Sequence, residues 1–224
     1  MIMNDVTIYR WLIPKILVDP DYSRISIDET LNKEDVLIIS NFMNSLEKRF
    51  VETTISFTFI VVDDLVDWYW GKQGFKGIRN AKRSFKKLED NYKKILITLT
   101  QSTVVTSVST LRAENPLNQY STFQKKSMQI LSNDNLIPDS FEQEINYRMT
   151  AYCQPNKAFS PSYAEELAKR AYSLFVAEYS LLTLCSIGKQ SLIYSNGSLL
   201  SENRYKFAES VCNYSSIKRI SQKI

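Results

Sequence analysis

The chain has 224 residues, 44% hydrophobic and 23% charged, a globular composition sufficient for one sizeable α/β domain or two small ones. It contains no histidine, which excludes His-ligated zinc or iron, Ser-His-Asp hydrolysis and any imidazole base. The net charge is only +4, and the 5 glycines form neither G-x-G-x-x-G nor G-x-x-x-x-G-K, so no glycine-rich nucleotide cradle is readable.

At the N-terminus, an apolar patch is interrupted by Arg10, Pro14, Lys15 and Asp19 and carries no small-residue cleavage site. No run approaches the roughly 20 apolar residues of a membrane span. Cys153, Cys185 and Cys212 are an odd number without metal-type spacing, which suggests reduced, packing thiols. A soluble cytoplasmic protein without metal, cofactor or membrane partner is expected.

Val36-Leu37-Ile38-Ile39-Ser40 reads as a short buried strand ending at Ser40, with helical composition from Asn44 to Thr53. Ser56 to Val62, β-branched and aromatic, reads as a second strand halted by Asp63-Asp64. Strand, helix and strand make a βαβ unit, and continuous apolar strands imply a sheet covered on both faces. Ile78 to Leu99 predicts a helix, Thr103 to Leu111 a third strand, and residues 116–130, 139–151 and 162–184 further helices. Pro155 to Pro161 reads as a loop, with Ser160 or Ser162 starting the next helix, and Ser191 to Tyr194 as a returning strand. No repeat or linker divides the chain. The expectation is one Rossmann-like, doubly wound parallel sheet flanked by helices, spanning residues 1–224.

The positive charge is concentrated. Between Ile78 and Leu99 stand seven bases (Arg79, Lys82, Arg83, Lys86, Lys87, Lys93 and Lys94) against Glu89 and Asp90, and the remainder holds 21 basic and 22 acidic residues. Ile78, Ala81, Phe85, Leu88, Tyr92, Ile95 and Leu99 alternate spacings of three and four, a core-facing stripe. At about 100° per residue the bases fill a separate arc of roughly 140°. An ordinary solvated face and a track for a phosphate backbone both fit, and the single sign of the face leans toward nucleic acid.

Three constellations bear on chemistry. Asp63-Asp64-Leu65-Val66-Asp67 matches the D-D-x-x-D diphosphate motif of terpene and prenyl synthases. That chemistry needs carboxylates on the wall of a helical bundle, whereas these acids end a strand-like run. Ser40 falls at the expected carboxyl end of a strand, where open α/β sheets handle ligands, although from position alone it reads more simply as a helix cap. Glu178 occupies a core-facing slot among Leu167, Ala171, Leu174, Leu181 and Cys185. A charge there requires a partner or a raised pKa: either a structural Arg or Tyr, or a ligand cation such as a substrate amino group.

Taken in order, these pieces resemble the tRNA-dependent cyclodipeptide synthases, a family that looks like the catalytic domain of class I tyrosyl- and tryptophanyl-tRNA synthetases. Val36 to Ser45 is similar to the family's nucleophile motif V-L-I-G-I-S-P-F-N-S, with one inserted residue before Asn44 and Ile38 in place of a glycine. Phe57 to Asp63 resembles its second strand, Trp68 to Leu99 its turn and tRNA-contacting basic helix, and Phe175-Val176-Ala177-Glu178-Tyr179 its Y-x-x-x-E helix. Ser191 to Tyr194 resembles the strand ending in its second functional tyrosine. Leu174 stands where the family has the helix tyrosine, the helix after Ser40 is about two turns shorter, and Ser195 follows Tyr194 in place of the family's His, Gln or Pro.

The resemblance implies an aminoacyltransferase joining the amino acids of two aminoacyl-tRNAs into a cyclic dipeptide. Ser40 would attack the first ester, an exchange that needs orientation more than a strong base. Glu178 would hold the α-ammonium and Tyr194 would relay protons. Ile38, Asn44, Asp63 and Leu174 would line the substrate pocket, and the seven bases would grip the acceptor stem. The alternative is a non-catalytic tRNA- or RNA-binding relative that kept the cationic helix, which Leu174 favours.

Overall fold

The computed structural model describes residues 5–13, 16–18, 25–27, 33–49, 53–64, 78–98, 102–115, 118–133, 138, 141–152, 160–195, 198–214 and 217–221. Strand β1 (Val6–Leu12) opens the fold, followed by β2 (Ile16–Val18) and β3 (Ile25–Ile27), which pair antiparallel as a separate ribbon. Then come α1 (Lys33–Arg49), β4 (Ile55–Val61), α2 (Ile78–Leu96), β5 (Thr103–Ser107), α3 (Val108–Glu114), α4 (Gln119–Leu131) and α5 (Phe141–Tyr152). The chain continues through α6 (Pro161–Cys185), β6 (Gln190–Ser195), α7 (Leu199–Cys212) and β7 (Lys218–Ser221).

The main sheet runs β5-β4-β1-β6-β7, all parallel. This is the doubly wound order, with the chain reversing direction across the sheet between β1 and β6. Side chains alternate between faces along each strand. Val6, Ile8 and Leu12 of β1, with Phe57, Phe59 and Val61 of β4, join Ile39, Phe42, Met43 and Leu46 of α1 and Phe85 and Leu88 of α2 in one core. Tyr9 of β1, with Ile60 and Ile193, faces a second core under α3 to α7, built around Tyr172, Leu174, Tyr179 and Leu182. Helices on both faces of a parallel sheet confirm the expected α/β class.

Two expectations change. Val36 to Ser40 is not a strand but lies inside α1, because Ile39, Phe42, Met43 and Leu46 recur at helical spacing and bury one side of it. A run of four apolar residues cannot distinguish a buried strand from a helix by periodicity; the residues beyond it decide. The first strand of the βαβ unit is instead β1, in the segment expected to be only an apolar patch.

Other elements fall near their expected places. The predicted third strand stops at Ser107, whose side chain accepts from the Thr110 N–H at 3.3 Å and so caps α3. Ser160 caps α6, with Pro161 in its first turn. Elements α7 and β7 lie beyond the strands and helices read from sequence, and β7 completes the sheet edge. The turn expected before the basic helix, together with Asp67 and Cys153, lies outside the described residues.

Helix α6 sets the geometry of the carboxyl rim. Its 25 residues span about 37 Å, against about 23 Å for a seven-residue strand. Its C-terminal end is held at β1, where the Tyr9 hydroxyl donates to the Cys185 carbonyl at 3.2 Å. No helix among the described residues is long and apolar enough to cross a membrane.

Candidate functional site

The carboxyl ends of β1 and β4 lie side by side, fixed by the Val62 N–H donating to the Leu12 carbonyl at 3.0 Å. Asp63 and Asp64 follow directly, and they do different things. Asp63 is half-exposed and accepts from the Ser109 backbone N–H at 3.0 Å and from the Ser109 hydroxyl, tying β4 to the first turn of α3. Asp64 turns inward and is only 6% exposed. The buried Tyr120 hydroxyl of α4 donates to its Oδ2, while its Oδ1 is buried without a hydrogen-bond partner.

Glu178, projecting from α6 into the second core, is 5% exposed, and its Oε1 is likewise buried and unpartnered. The two carboxyl groups face each other within hydrogen-bonding reach. Burial foremost, then the Asp64 carboxyl, pushes Glu178 well above the ordinary carboxylate range, against the opposing charge of Arg204. Burial foremost pushes Asp64 up to about 6; the Tyr120 hydrogen bond and Arg112 pull it down, and the Asp63 charge adds to the rise. Tyr120 is held in its neutral form by burial and by the Asp64 charge. The Arg112 guanidinium sits over the Tyr120 ring, 4.2 Å from its centroid.

Behind Glu178 lies an ion network. Glu144 of α5, fully buried, accepts from Arg148 Nε at 2.8 Å and from Arg204 Nε and Nη2 of α7 at 3.0 and 2.7 Å. Its burial pulls its pKa upward, but Arg204 and Arg148 more than offset this and hold it below the ordinary range. The sequence names Asp64 only within the Asp63-Asp64-Leu65-Val66-Asp67 motif, with Asp63 as the expected pocket residue, and gives no sign of Tyr120 or of this network. Glu144 and Arg148 at i and i+4 were a readable pair, whereas nothing local marks Tyr120 or Arg204.

Several expected site residues do not converge. Ser40 is half-buried in the middle of α1, on the opposite face of the sheet from Glu178, so its hydroxyl is not at a strand terminus. Ile38 is 40% exposed and Asn44 is exposed, both on the solvent side of α1. The same misplaced strand explains all three. Tyr194 also belongs to the α1 face. Its ring meets Phe42 at 4.2 Å in an edge contact, with the Arg10 guanidinium 4.6 Å from its centroid. Leu174 is buried within the second core, one helical turn before Glu178.

The basic helix keeps its expected form. Ala81, Phe85, Leu88, Tyr92 and Leu96 are buried, while Lys82, Arg83, Lys86, Lys87 and Lys94 are exposed. Lys93 is half-buried and reaches Glu89 Oε1 at 2.6 Å; Lys86 lies 3.4 Å from the other oxygen of Glu89. Arg79 stands in the first turn of α2. Because β4 ends at the carboxyl rim, α2 begins on the rim side and runs back toward the start of β5.

The fold and site define a class: a Rossmann-type α/β protein with a buried carboxyl pair at the carboxyl rim and a cationic crossover helix. No protein-family model matches the chain, and no curated protein sequence matches it. Among solved structures it is similar to a cyclodipeptide synthase from Streptomyces noursei, at 11% identity over 99% of this chain and 96% of that one, with a TM-score of 0.49. It is also similar to a cyclodipeptide synthase from Candidatus Glomeribacter gigasporarum bound to Phe-tRNAPhe (10% identity, 100% and 90% coverage, TM-score 0.48). A third similar structure is Leishmania major tyrosyl-tRNA synthetase with tyrosinol (11% identity, TM-score 0.48), where the chain covers 32% of the larger protein.

Proposed function

We propose that this protein binds the aminoacyl end of charged tRNA, with the amino acid's ammonium group at Asp64 and Glu178 and the RNA backbone along α2. The observation that carries this reading is the pair of buried carboxyls, each with an unpartnered oxygen, at the rim where doubly wound folds take ligands. Two such oxygens accept but do not donate, so the group that completes them is a cation or a donor. A primary ammonium has both properties. The single-signed face of α2 supplies the attraction for a polyanion.

Synthesis of cyclic dipeptides from two aminoacyl-tRNAs is the second reading. The resemblance of Phe175 to Tyr179 to the family's Y-x-x-x-E helix favours it. A covalent step through Ser40 requires that hydroxyl and the ammonium site to meet at one ester, and α1 and Glu178 lie on opposite faces of the sheet. Binding is therefore placed ahead of synthesis.

The test compares tRNA charged with a mixture of amino acids and the same tRNA uncharged. Charged tRNA is expected to bind about tenfold or more tightly, the size of a desolvated charge-assisted hydrogen bond. Glu178→Gln should abolish that difference while leaving uncharged tRNA bound. Equal binding of both tRNAs to the unaltered protein refutes the reading. Diketopiperazines in extracts of cells expressing the chain, together with an aminoacyl adduct lost in Ser40→Ala, would establish the second reading instead.

A further inference from the structure

Asp64 Oδ1 and Glu178 Oε1 are both acceptors, both buried, and neither has a donor. Two bare carboxylates in that position would leave two charges without solvent. One proton between them satisfies both orphan oxygens at once. Arg204, which pairs with the buried Glu144, is the cation that opposes the negative charge at Glu178. A pair holding one shared proton carries −1, half the charge of two bare carboxylates.

Resting on the aminoacyl-binding reading above, we infer that Asp64 and Glu178 form a dyad sharing one proton in the empty site and release it when a ligand ammonium takes its place. The exchange balances. The ligand enters as R-NH₃⁺, the dyad goes from −1 to −2, one H⁺ leaves to solvent, and the pair with its ligand again carries −1. No covalent bond forms. A neutral ligand of the same shape cannot displace the proton without stranding a second buried charge, so the site selects amines over alcohols and N-acylated amino acids.

The other groups facing the dyad do not supply this proton exchange. Asp63, at the end of β4, is occupied by Ser109 of α3. Tyr120 of α4 already donates to Asp64 and is held neutral. Tyr205 of α7 is pushed above its ordinary value by burial, so it is protonated at neutral pH. Arg112 of α3 and Arg204 of α7 are the cations that act on the pair.

The first measurement needs no ligand. Infrared difference spectra at pH 7 between the unaltered protein and Glu178→Gln, and separately Asp64→Asn, should each lose one carbonyl band of a protonated carboxyl group. The two isosteric amides keep the volume of the site, and circular dichroism checks that each variant is folded. The second measurement uses puromycin, a stable aminoacyl-nucleoside amide with a free amino group. Calorimetry in buffers of different ionisation enthalpy should show one proton released per puromycin bound, with affinity rising about tenfold per pH unit until the dyad or the ligand amine is deprotonated. N-acetylpuromycin should not bind.

Absence of the infrared band overturns the shared proton, whatever puromycin does. A band present with proton-neutral puromycin binding overturns the exchange, as does binding of N-acetylpuromycin with equal affinity. Failure of puromycin where charged tRNA still binds better than uncharged also overturns the exchange. If charged and uncharged tRNA bind alike while the band is present, the functional reading and the ligand exchange fall, and the shared proton stands.

Discussion

Replacing Asp64 by asparagine should change how stability varies with pH more than it changes stability itself. In the unfolded chain Asp64 loses its proton near pH 4, whereas in the folded protein it keeps it up to about 6. Between those values the folded state binds the extra proton, so raising the pH destabilises the fold. The contribution is complete below the unfolded pKa and is lost as pH rises through the folded one. Two pH units at about 1.4 kcal/mol each give about 3 kcal/mol. Glu178, also raised, adds in the same direction. Glu144, held below its ordinary range, acts oppositely and loses its contribution as pH falls. Stability should therefore peak at about pH 4 to 5.

Asparagine keeps the Tyr120 hydrogen bond through its carbonyl and offers its amide to Glu178. Urea denaturation of both proteins from pH 4 to 8 is the assay. The variant should lose about one proton's worth of slope and, at pH 7.5, exceed the unaltered protein by about 1–3 kcal/mol. Parallel stability curves for the two proteins across this range would refute the burial-and-repulsion account of the pair.

Three further outcomes are expected. Glu144→Ala should cost about 3–5 kcal/mol in urea denaturation, because it leaves Arg148 and Arg204 converging without an anion. Arg83→Ala with Lys87→Ala should weaken tRNA binding and reduce the slope of log affinity against log salt by about 1.4 to 1.8, and an unchanged slope would make α2 an ordinary solvated face. Ser40→Ala should alter stability by less than about 1 kcal/mol and leave tRNA binding unchanged in a filter-binding assay, since the hydroxyl is half-buried on the side of the sheet away from the carboxyl pair.

Local pattern was enough for β4, α2 and α6. β4 is a β-branched and aromatic run stopped by two acids, and α2 separates apolar and basic residues at helical spacing over five turns. The buried position of Glu178 was readable for the same reason, because a carboxylate in an apolar helical stripe stands out wherever the helix packs. Short segments failed. Val36 to Ile39 looks the same as strand or helix until Phe42, Met43 and Leu46 are counted. β1 was hidden because Arg10 interrupts its apolar alternation, and only in the folded chain does that guanidinium settle over Phe42 and Tyr194.

By itself, the sequence determined that this is an α/β chain with a cationic crossover helix and a carboxylate committed to the interior, since propensity, periodicity and charge act over a few turns. Only the tertiary structure decided which groups meet. Asp64 and Glu178 are far apart along the chain, as are Glu144 and Arg204, and each pair meets only once the strand and helices that carry them pack together. Whether a residue ends a strand or sits within a helix likewise depends on which face of its segment the rest of the chain covers. Ser40 and Asp64 exchanged importance on that ground.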